Sequence, residues 1–176
     1  MKHLMTVATV LCLLALGACG QQRPAAPGRN AGYDRLLRTL YRETVPLVQP
    51  AALAASLQQA PDSVTVLDAR TPAEYRVSHL AGARFVDFAT FEQNTFAGLP
   101  RNRPVVVYCA VGYRSERVGE RLLALGFRDV RNLYGGIFQW VNEGRPVVNA
   151  QGPTADVHPY SALWRPWLTR GRPVYR

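Results

Sequence analysis

Short apolar strand patterns alternate with helical patterns along most of the chain. The run at 105–109, VVVYC, has no polar alternation, as expected of a strand buried on both faces of a parallel sheet. Further short strands are predicted near 45–48, 64–70, 81–88 and 128–134. Strands and helices that alternate in this way predict an α/β fold, with a central, mainly parallel sheet of about five strands and helices on both faces.

The helical segments carry recognisable start and stop signals. In 71–80, Thr71 is the predicted N-cap, Pro72 suits the first helical position and Glu74 lies three residues after the cap. Gly126 is predicted to end a long amphipathic helix. Helices are predicted from Tyr33 onward and at 49–63, 71–80, 114–127 and 137–147, with a short helix within 89–103.

Residues 1–18 have the pattern of a secretory signal peptide. MKH is positively charged, and the apolar run LMTVATVLCLLALG and small residues follow it. The run is too short for a stop-transfer helix. The sequence LGAC at Leu16–Cys19 resembles a bacterial lipobox, which implies cleavage before Cys19 and acylation of that cysteine. The alternative is an uncleaved membrane anchor in which the cysteine is incidental.

The resemblance to a lipobox sets the expected location. Residues 19–32 are polar and rich in Pro and Gly, as expected of a tether between a lipid anchor and a folded domain. Residue 20 is Gly rather than Asp, which favours the outer membrane in lipoproteins of Gram-negative bacteria. We therefore expect a periplasm-facing lipoprotein of the cell envelope, attached to the membrane through lipidated Cys19.

The chain is strongly basic, with 21 Lys and Arg against 12 Asp and Glu and a formal net charge of +9. The arginines are scattered rather than clustered with aromatic residues, so nucleic acid is not expected as a partner. Attraction to anionic lipid headgroups or to small anionic substrates fits this charge better.

The three cysteines have different expected fates. Cys12 would leave with the signal peptide and Cys19 would carry lipid, so Cys109 would be the one thiol of the mature domain. No disulfide can then form within that domain. A tetrahedral zinc site is not expected either, since His79 and His158 are the only histidines after the signal peptide. An inert, buried cysteine is one interpretation of Cys109.

The surroundings of Cys109 favour a reactive cysteine instead. It directly follows the predicted buried strand, and open α/β sheets place their sites at the carboxyl ends of strands. Backbone N–H groups of residues 110–114 can point inward around the sulfur, and the N-terminus of the next helix contributes about half a positive charge. Gly112 permits a positive φ and Arg114 adds a permanent cation. These features favour the thiolate, the nucleophilic form of cysteine.

Three blocks of sequence, in the same order, resemble the rhodanese-like single-domain family. LDARTPAEYRVSHLAGARFVDF at 67–88 has the Asp-x-Arg strand end, the Glu-Tyr helix and the His-Leu-x-Gly-Ala turn. VVVYCAVGYRS at 105–115 has the active loop Cys-x-x-Gly-x-Arg-Ser. LYGGIFQWVNEGRPV at 133–147 has the Gly-Gly, Trp and Gly-x-Pro-Val ending. The resemblance covers about 47–148 and implies a rhodanese-like fold.

The same resemblance implies a sulfurtransferase that needs no cofactor. The Cys109 thiolate would take the outer sulfur of thiosulfate or of a persulfide donor, and cyanide or a thiol acceptor would then remove it. Covalent catalysis in two such steps gives ping-pong kinetics. The second interpretation is a persulfide carrier or binding module of the cell envelope without significant turnover. The loop residues implied in substrate binding are Ala110, Val111, Gly112, Tyr113, Arg114 and Ser115.

The length and charge of the loop narrow the expected chemistry. Cys109 to Arg114 spans six positions. Related cell-cycle phosphatases and arsenate reductases resemble this loop but have one residue more, for a larger tetrahedral anion, so those activities are disfavoured. The loop also lacks the charged residues of efficient thiosulfate enzymes, since Ala110, Val111 and Tyr113 are uncharged. This departure favours a persulfide donor over a dianion.

Four other polar residues near these motifs each allow two interpretations. Asp68 and Arg70 could bind substrate, but a pair that supports the neighbouring loop is favoured. Glu74 could act as an acid or base, but a first-turn carboxylate stabilised by the helix dipole is simpler. His79 could form a dyad with Cys109, although its counterpart in the family is mostly structural.

Trp140 is expected in the core of the domain and Tyr113 at the mouth of its pocket. The C-terminal extension is rich in Pro, Trp and Arg, and it is expected to pack over the domain. The alternative is that its side chains lie at a membrane interface. The predicted organisation of the chain therefore has four parts: a signal peptide at 1–18, a tether at 19–32, a rhodanese-like domain at 33–149 and the extension at 150–176.

Overall fold

The computed structural model of the protein describes residues 30–175. The predicted signal peptide, Cys19 and most of the predicted tether lie outside this range. In chain order the helices and strands are α1 Ala31–Leu40, β1 Leu47–Val48, α2 Pro50–Gln59, β2 Thr65–Asp68, α3 Pro72–Val77, β3 Arg84–Phe85, β4 Val105–Tyr108, α4 Tyr113–Ala124, β5 Val130–Leu133, α5 Gly136–Asn142, β6 Val147–Asn149, β7 Gly152–Thr154, β8 Asp156–Val157 and β9 Arg172–Pro173. Short 3₁₀ helices lie at Pro61–Ser63, Phe91–Gln93 and Arg165–Trp167.

The central sheet is parallel throughout. Its five strands follow the order β1-β5-β4-β2-β3, and each of the four pairings is parallel. Strand β4 lies in the middle, and all of its residues are buried. A strand covered on both faces has no solvent side on which a polar residue would be favoured. The predicted α/β fold, with a parallel sheet of about five strands, is confirmed.

Helices cover the two faces of the sheet with separate apolar clusters. Val106 and Tyr108 belong to the cluster that contains Leu37 of α1, Leu53 of α2 and Phe138 of α5. Their neighbours Val105 and Val107 pack instead in the cluster of α4, which includes Val118 and Leu122. Successive strand residues point to opposite faces, so one short apolar strand contributes to both halves of the core.

The first and third helices begin at side-chain caps. Thr71 caps α3 as predicted: its hydroxyl accepts from the N–H of Glu74, and the Glu74 carboxylate accepts from the N–H of Thr71. Helix α1 begins at Ala31, capped by Asn30, rather than at Tyr33. The end of the predicted tether therefore already belongs to the first helix.

The C-terminal extension packs against the domain. Strands β6 and β7 form an antiparallel hairpin, and β8 pairs with β9 in parallel. The ring of Trp167 stacks on Tyr33 of α1 at 5.7 Å between centroids. The buried amide of Asn142 holds the same segment: it donates to the carbonyl of Trp167 and accepts from the N–H groups of Thr169 and Arg170. Within residues 30–175, no helix has the length and hydrophobicity needed to cross a membrane.

Candidate active site

Cys109 lies at the carboxyl end of β4, at the centre of the sheet. The backbone N–H of Gly112 donates to its sulfur, with 3.1 Å between N and Sγ. Its carbonyl accepts from the N–H of Ile137 at the start of α5. A Cβ on Gly136 would collide with the Cys109 carbonyl, which explains the second glycine of the Gly-Gly pair. The backbone at the start of α5 thus fixes the position of Cys109 through its carbonyl.

A half-buried tyrosine that the sequence analysis did not identify shapes the loop after Cys109. The hydroxyl of Tyr41 donates to the carbonyl of Val111 at 2.7 Å and accepts from the N–H of Gly135 at 2.9 Å. Gly112 has φ +102°, and a Cβ there would collide with the Tyr41 ring and hydroxyl. Glycine is therefore required at position 112 both for its backbone conformation and for space.

Ser115 is linked to the loop through Asn132 of β5. It is buried, and its hydroxyl donates to Oδ1 of Asn132 at 2.7 Å. The Asn132 amide in turn donates to the carbonyl of Gly112 at 2.9 Å. The Ser115 hydroxyl is thus directed at β5, and the substrate contact that the resemblance implied for this residue stays a prediction.

Arg114 forms a two-point ion pair with Glu74. Its two terminal nitrogens lie 2.8 and 2.7 Å from the carboxylate oxygens, and the Glu74 side chain is fully buried. Burial alone would raise the pKa of Glu74, but the hydrogen bonds and charge of Arg114, with the charge of Arg70, lower it below its usual range. The permanent cation predicted at Arg114 is therefore matched by an anion. The Tyr160 ring covers its guanidinium at 4.8 Å.

Asp68 and Arg70 form a second, entirely buried ion pair. Nη2 of Arg70 lies 2.6 Å from Oδ2 of Asp68, and the same guanidinium donates to the carbonyl of Ser78. The hydroxyl of Tyr108 donates to Asp68 at 2.6 Å and accepts from the N–H of Leu80. This network joins the ends of β2 and β4 to the turn after α3. It gives the two residues a supporting position rather than contact with a ligand.

His79 and Trp140 also have structural partners. His79 stacks on Tyr75 at 3.9 Å, and its backbone pairs with Val148 in both directions. Its side chain lies along a different surface cleft from the one that contains Cys109. Trp140 is buried, and its indole N–H donates to the carbonyl of Pro146.

Cys109 is among the residues that line a cavity of about 460 Å³. Loop residues Ala110, Val111, Tyr113 and Arg114 also line it, so four of the six predicted loop residues border the cavity, while Gly112 contacts the sulfur through its N–H. Parts of the chain outside the Cys109 loop supply the remaining walls. These residues are Leu40 from α1, Thr71 before α3, Asp87, Phe88 and Ala89 after β3, and Tyr160 and Trp164 from the C-terminal extension.

The family of the chain follows from comparison with known proteins. Residues 50–143 match the rhodanese-like domain family. The match covers more than half of the 176 residues, and the chain therefore belongs to this family. Its boundaries leave α1 and the C-terminal extension outside, and with them Leu40, Tyr160 and Trp164 of the cavity wall.

Relatives named sulfurtransferases agree with this assignment. The chain is 33% identical over 91 residues to a sulfurtransferase of Allochromatium vinosum, a match that covers 52% of this chain and 84% of the relative. It is 31% identical over 84 residues to the probable adenylyltransferase/sulfurtransferase MoeZ of Mycobacterium tuberculosis, with 47% of this chain and only 21% of MoeZ covered. The chain thus resembles one segment of that longer relative.

Solved structures agree in fold. The crystal structure of a rhodanese-related protein from Thermoplasma volcanium superposes with a TM-score of 0.52 and 30% sequence identity, over 58% of this chain and 97% of that one. The solution structure of a rhodanese-like domain from Anabaena gives a TM-score of 0.54 and 25% identity, over 59% and 79% of the two chains.

Proposed function

We propose that the protein is a sulfurtransferase that moves a sulfane sulfur from thiosulfate or a persulfide donor, through a persulfide on Cys109, to a thiol or cyanide acceptor. The observation that carries the proposal is the position of Cys109. Its sulfur accepts a backbone N–H at the end of the central strand, and the residue is among those that line a cavity large enough for a substrate. The sulfurtransferase names among the relatives support the same chemistry.

The first step is attack by the Cys109 thiolate on the outer sulfur of the donor. A bond forms between the two sulfurs, and the bond from the outer sulfur to the rest of the donor breaks and leaves its electron pair there. Thiosulfate would release sulfite, and a persulfide would release a thiolate. Charge is conserved, because the persulfide on Cys109 carries one negative charge as the thiolate did. The Gly112 N–H donates to Sγ and is therefore placed to stabilise the charge of the Cys109 thiolate that attacks the donor.

The second step returns the cysteine to its starting state. A nucleophile attacks the outer sulfur of the Cys109 persulfide, the sulfur–sulfur bond breaks, and its electron pair restores the thiolate. Cyanide gives thiocyanate, and a thiolate gives a new persulfide. Neither step requires an oxidant, a reductant or a cofactor, and each uses the same sulfur position above Cys109. Ping-pong kinetics follow from this order.

The test is the rate of thiocyanate formation from thiosulfate, or from a small persulfide, and cyanide. We expect saturable turnover with parallel lines in double-reciprocal plots. Cys109→Ser should abolish it, while Ser161→Ala, in the C-terminal extension, should not. Turnover that survives in Cys109→Ser would refute the proposed role of the cysteine.

A persulfide carrier is the second candidate, and the buried state of the site favours it. Cys109 has no exposed surface of its own, and the Arg114 charge is already matched by Glu74. A carrier would take up one sulfur and release it only to a partner protein. It is distinguished by a stable sulfur adduct on Cys109 without thiocyanate turnover.

The location forms a separate proposal, because Cys19 lies outside residues 30–175. The protein is a lipoprotein of the cell envelope, anchored through acylated Cys19 and facing the periplasm. The sequence LGAC and the apolar run before it support this location. Mass spectrometry of the native N-terminal peptide tests it, with Cys19→Ser as the control. An unmodified Cys19 in membrane fractions would contradict it.

A further inference from the structure

The cavity above Cys109 contains more apolar surface than thiosulfate can use. Its volume of about 460 Å³ falls within the range of roughly 300–1,000 Å³ in which drug-sized ligands bind. Leu40, Phe88, Val111 and Trp164 present hydrocarbon or aromatic surface to it. Such a wall favours a ligand that buries apolar atoms against it.

The charges around the cavity oppose a dianion. Among the described residues that line it, Arg114 and Asp87 are the charged ones. The Arg114 charge is matched by buried Glu74 and covered by the Tyr160 ring. The remaining positive contribution is that of backbone N–H groups at the start of α4, which amounts to about half a charge. Because Asp87 is acidic, a donor with two negative charges meets little net attraction.

The C-terminal extension supplies the part of the wall that the family match does not include. Tyr160 and Trp164 line the cavity, whereas the match ends at residue 143. Tyr160 adopts φ +64°, and its N–H donates to Nδ1 of His158. Trp164 packs against the core cluster, and Trp167 of the same segment stacks on Tyr33. Val157, before Tyr160, is buried in the same cluster, so the extension is anchored on both sides of the point at which it meets the cavity.

We propose that Tyr160 and Trp164 are specificity-determining residues that select a monoanionic sulfane-sulfur donor with an apolar substituent over thiosulfate. This proposal rests on the proposed sulfurtransferase function and names the donor class for it. The sulfane sulfur meets Cys109 and the Gly112 N–H, while the substituent lies against Trp164 and Phe88. In the transfer, the Cys109 thiolate bonds to the terminal sulfur and the rest of the donor leaves with the electron pair of the broken bond.

Alkanethiosulfonate salts are suitable probes. They carry one negative charge, donate their terminal sulfur and release an alkanesulfinate, and lengthening the alkyl chain hardly changes their intrinsic reactivity. The experiment compares kcat/KM of the unaltered protein for methanethiosulfonate, hexanethiosulfonate and thiosulfate, with cyanide as acceptor. We expect hexanethiosulfonate to exceed methanethiosulfonate by about tenfold or more, and thiosulfate to be the poorest donor. Equal kcat/KM for methanethiosulfonate and hexanethiosulfonate would overturn the proposal.

Variants then assign the selection to the extension. Trp164→Ala, and to a smaller degree Tyr160→Ala, should reduce the hexane-to-methane ratio by about fivefold or more. Leu163→Ala is the matched control, because Leu163 is 85% exposed in the same segment and does not line the cavity; it should leave the ratio unchanged. Trp164→Leu should retain an intermediate ratio. If the hexane-to-methane ratio is unchanged in all three variants of Tyr160 and Trp164, these residues are excluded as its source.

The outcomes also separate this proposal from the function on which it rests. If no donor yields thiocyanate, the sulfurtransferase function fails. If all donors turn over through Cys109 but chain length has no effect, only the proposed donor class fails. The ratio on the unaltered protein decides this without any variant, so poor folding of a variant cannot obscure the result.

Discussion

The guanidinium of Arg114 holds the carboxylate of Glu74 at two points, with Nη2–Oε1 at 2.7 Å and Nη1–Oε2 at 2.8 Å. Glu74 belongs to α3 and Arg114 to the first turn of α4, so the pair joins two helices that border the cavity. The pair stabilises the loop and at the same time removes a free cation from the site. Arg114 therefore affects both the stability of the protein and the net charge of the cavity in which a donor would bind.

Loss of one partner from this pair should be costly. Arg114→Ala leaves the buried Glu74 carboxylate without its cation, and we expect the free energy of unfolding to fall by about 3–5 kcal/mol. Urea unfolding at neutral pH measures this change. Arg131→Ala is the control, because its pair with Asp129 is half-exposed, and it should cost no more than about 1 kcal/mol. Equal losses in the two variants would contradict the structural role of the pair.

Gly112 should tolerate alanine less well than another glycine of similar backbone conformation. Gly82→Ala, at φ +74° with open space around its Cβ, should cost about 1–3 kcal/mol from backbone strain. Gly112→Ala adds a collision with Tyr41 and should cost more, as measured by thermal unfolding. It should also slow sulfur transfer, because Tyr41 holds Val111. Equal melting temperatures would show that the contact with Tyr41 is unimportant.

The extension should loosen in mild acid. Desolvation, together with the charges of Arg70 and Arg114, lowers the pKa of His158, against an opposing effect of Glu74. The unfolded chain therefore takes up a proton before the folded one as the pH falls below about 6.5. Stability from this group is fully present above that pH and is lost as the pH falls through the folded pKa.

Denaturant unfolding between pH 7.5 and pH 5 measures this effect. The comparison is His158→Asn, which keeps an acceptor for the Tyr160 N–H but does not titrate. We expect a shallower loss of stability with acid in the variant. Identical pH profiles of the two proteins would rule out His158 as the source of the loss of stability in acid.

Asn142 should govern how tightly the extension is held. Its amide makes three hydrogen bonds to Trp167, Thr169 and Arg170, and Asn142→Ala leaves those backbone groups without partners. We expect a loss of about 1–3 kcal/mol and faster amide hydrogen exchange across 164–172 than in the unaltered protein. The exposed Asn94→Ala is the control. Unchanged exchange in Asn142→Ala would show that other contacts hold the extension.

Local patterns were sufficient to predict the elements around the site. The apolar run of β4 and the capping signals of α3 each appear within a few residues, and both are confirmed. The position of Cys109 at a strand end follows from the same short-range pattern. The amphipathic pattern predicts that α1 starts at Tyr33, whereas the helix begins at Ala31, because Asn30 caps it from within a polar segment.

The walls of the cavity could not be predicted, because they depend on contacts between distant residues. Arg114 is 40 positions from Glu74, and Tyr41 is 70 positions from Val111. Tyr160 and Trp164 come from an extension whose composition suited both packing and a membrane interface. The capping residues Asn30 and Thr71 have local sequence signals. A lone tyrosine such as Tyr41 has none.

Transfer of an isotopically labelled sulfur tests the central claim most directly. The protein is mixed with one equivalent of thiosulfate or hexanethiosulfonate labelled in the outer sulfur, and the peptide that contains Cys109 is analysed by mass spectrometry before and after cyanide. We predict one labelled sulfur on Cys109, which cyanide converts to labelled thiocyanate. A Cys109 peptide that never carries the label, while the donor is consumed, would contradict the account.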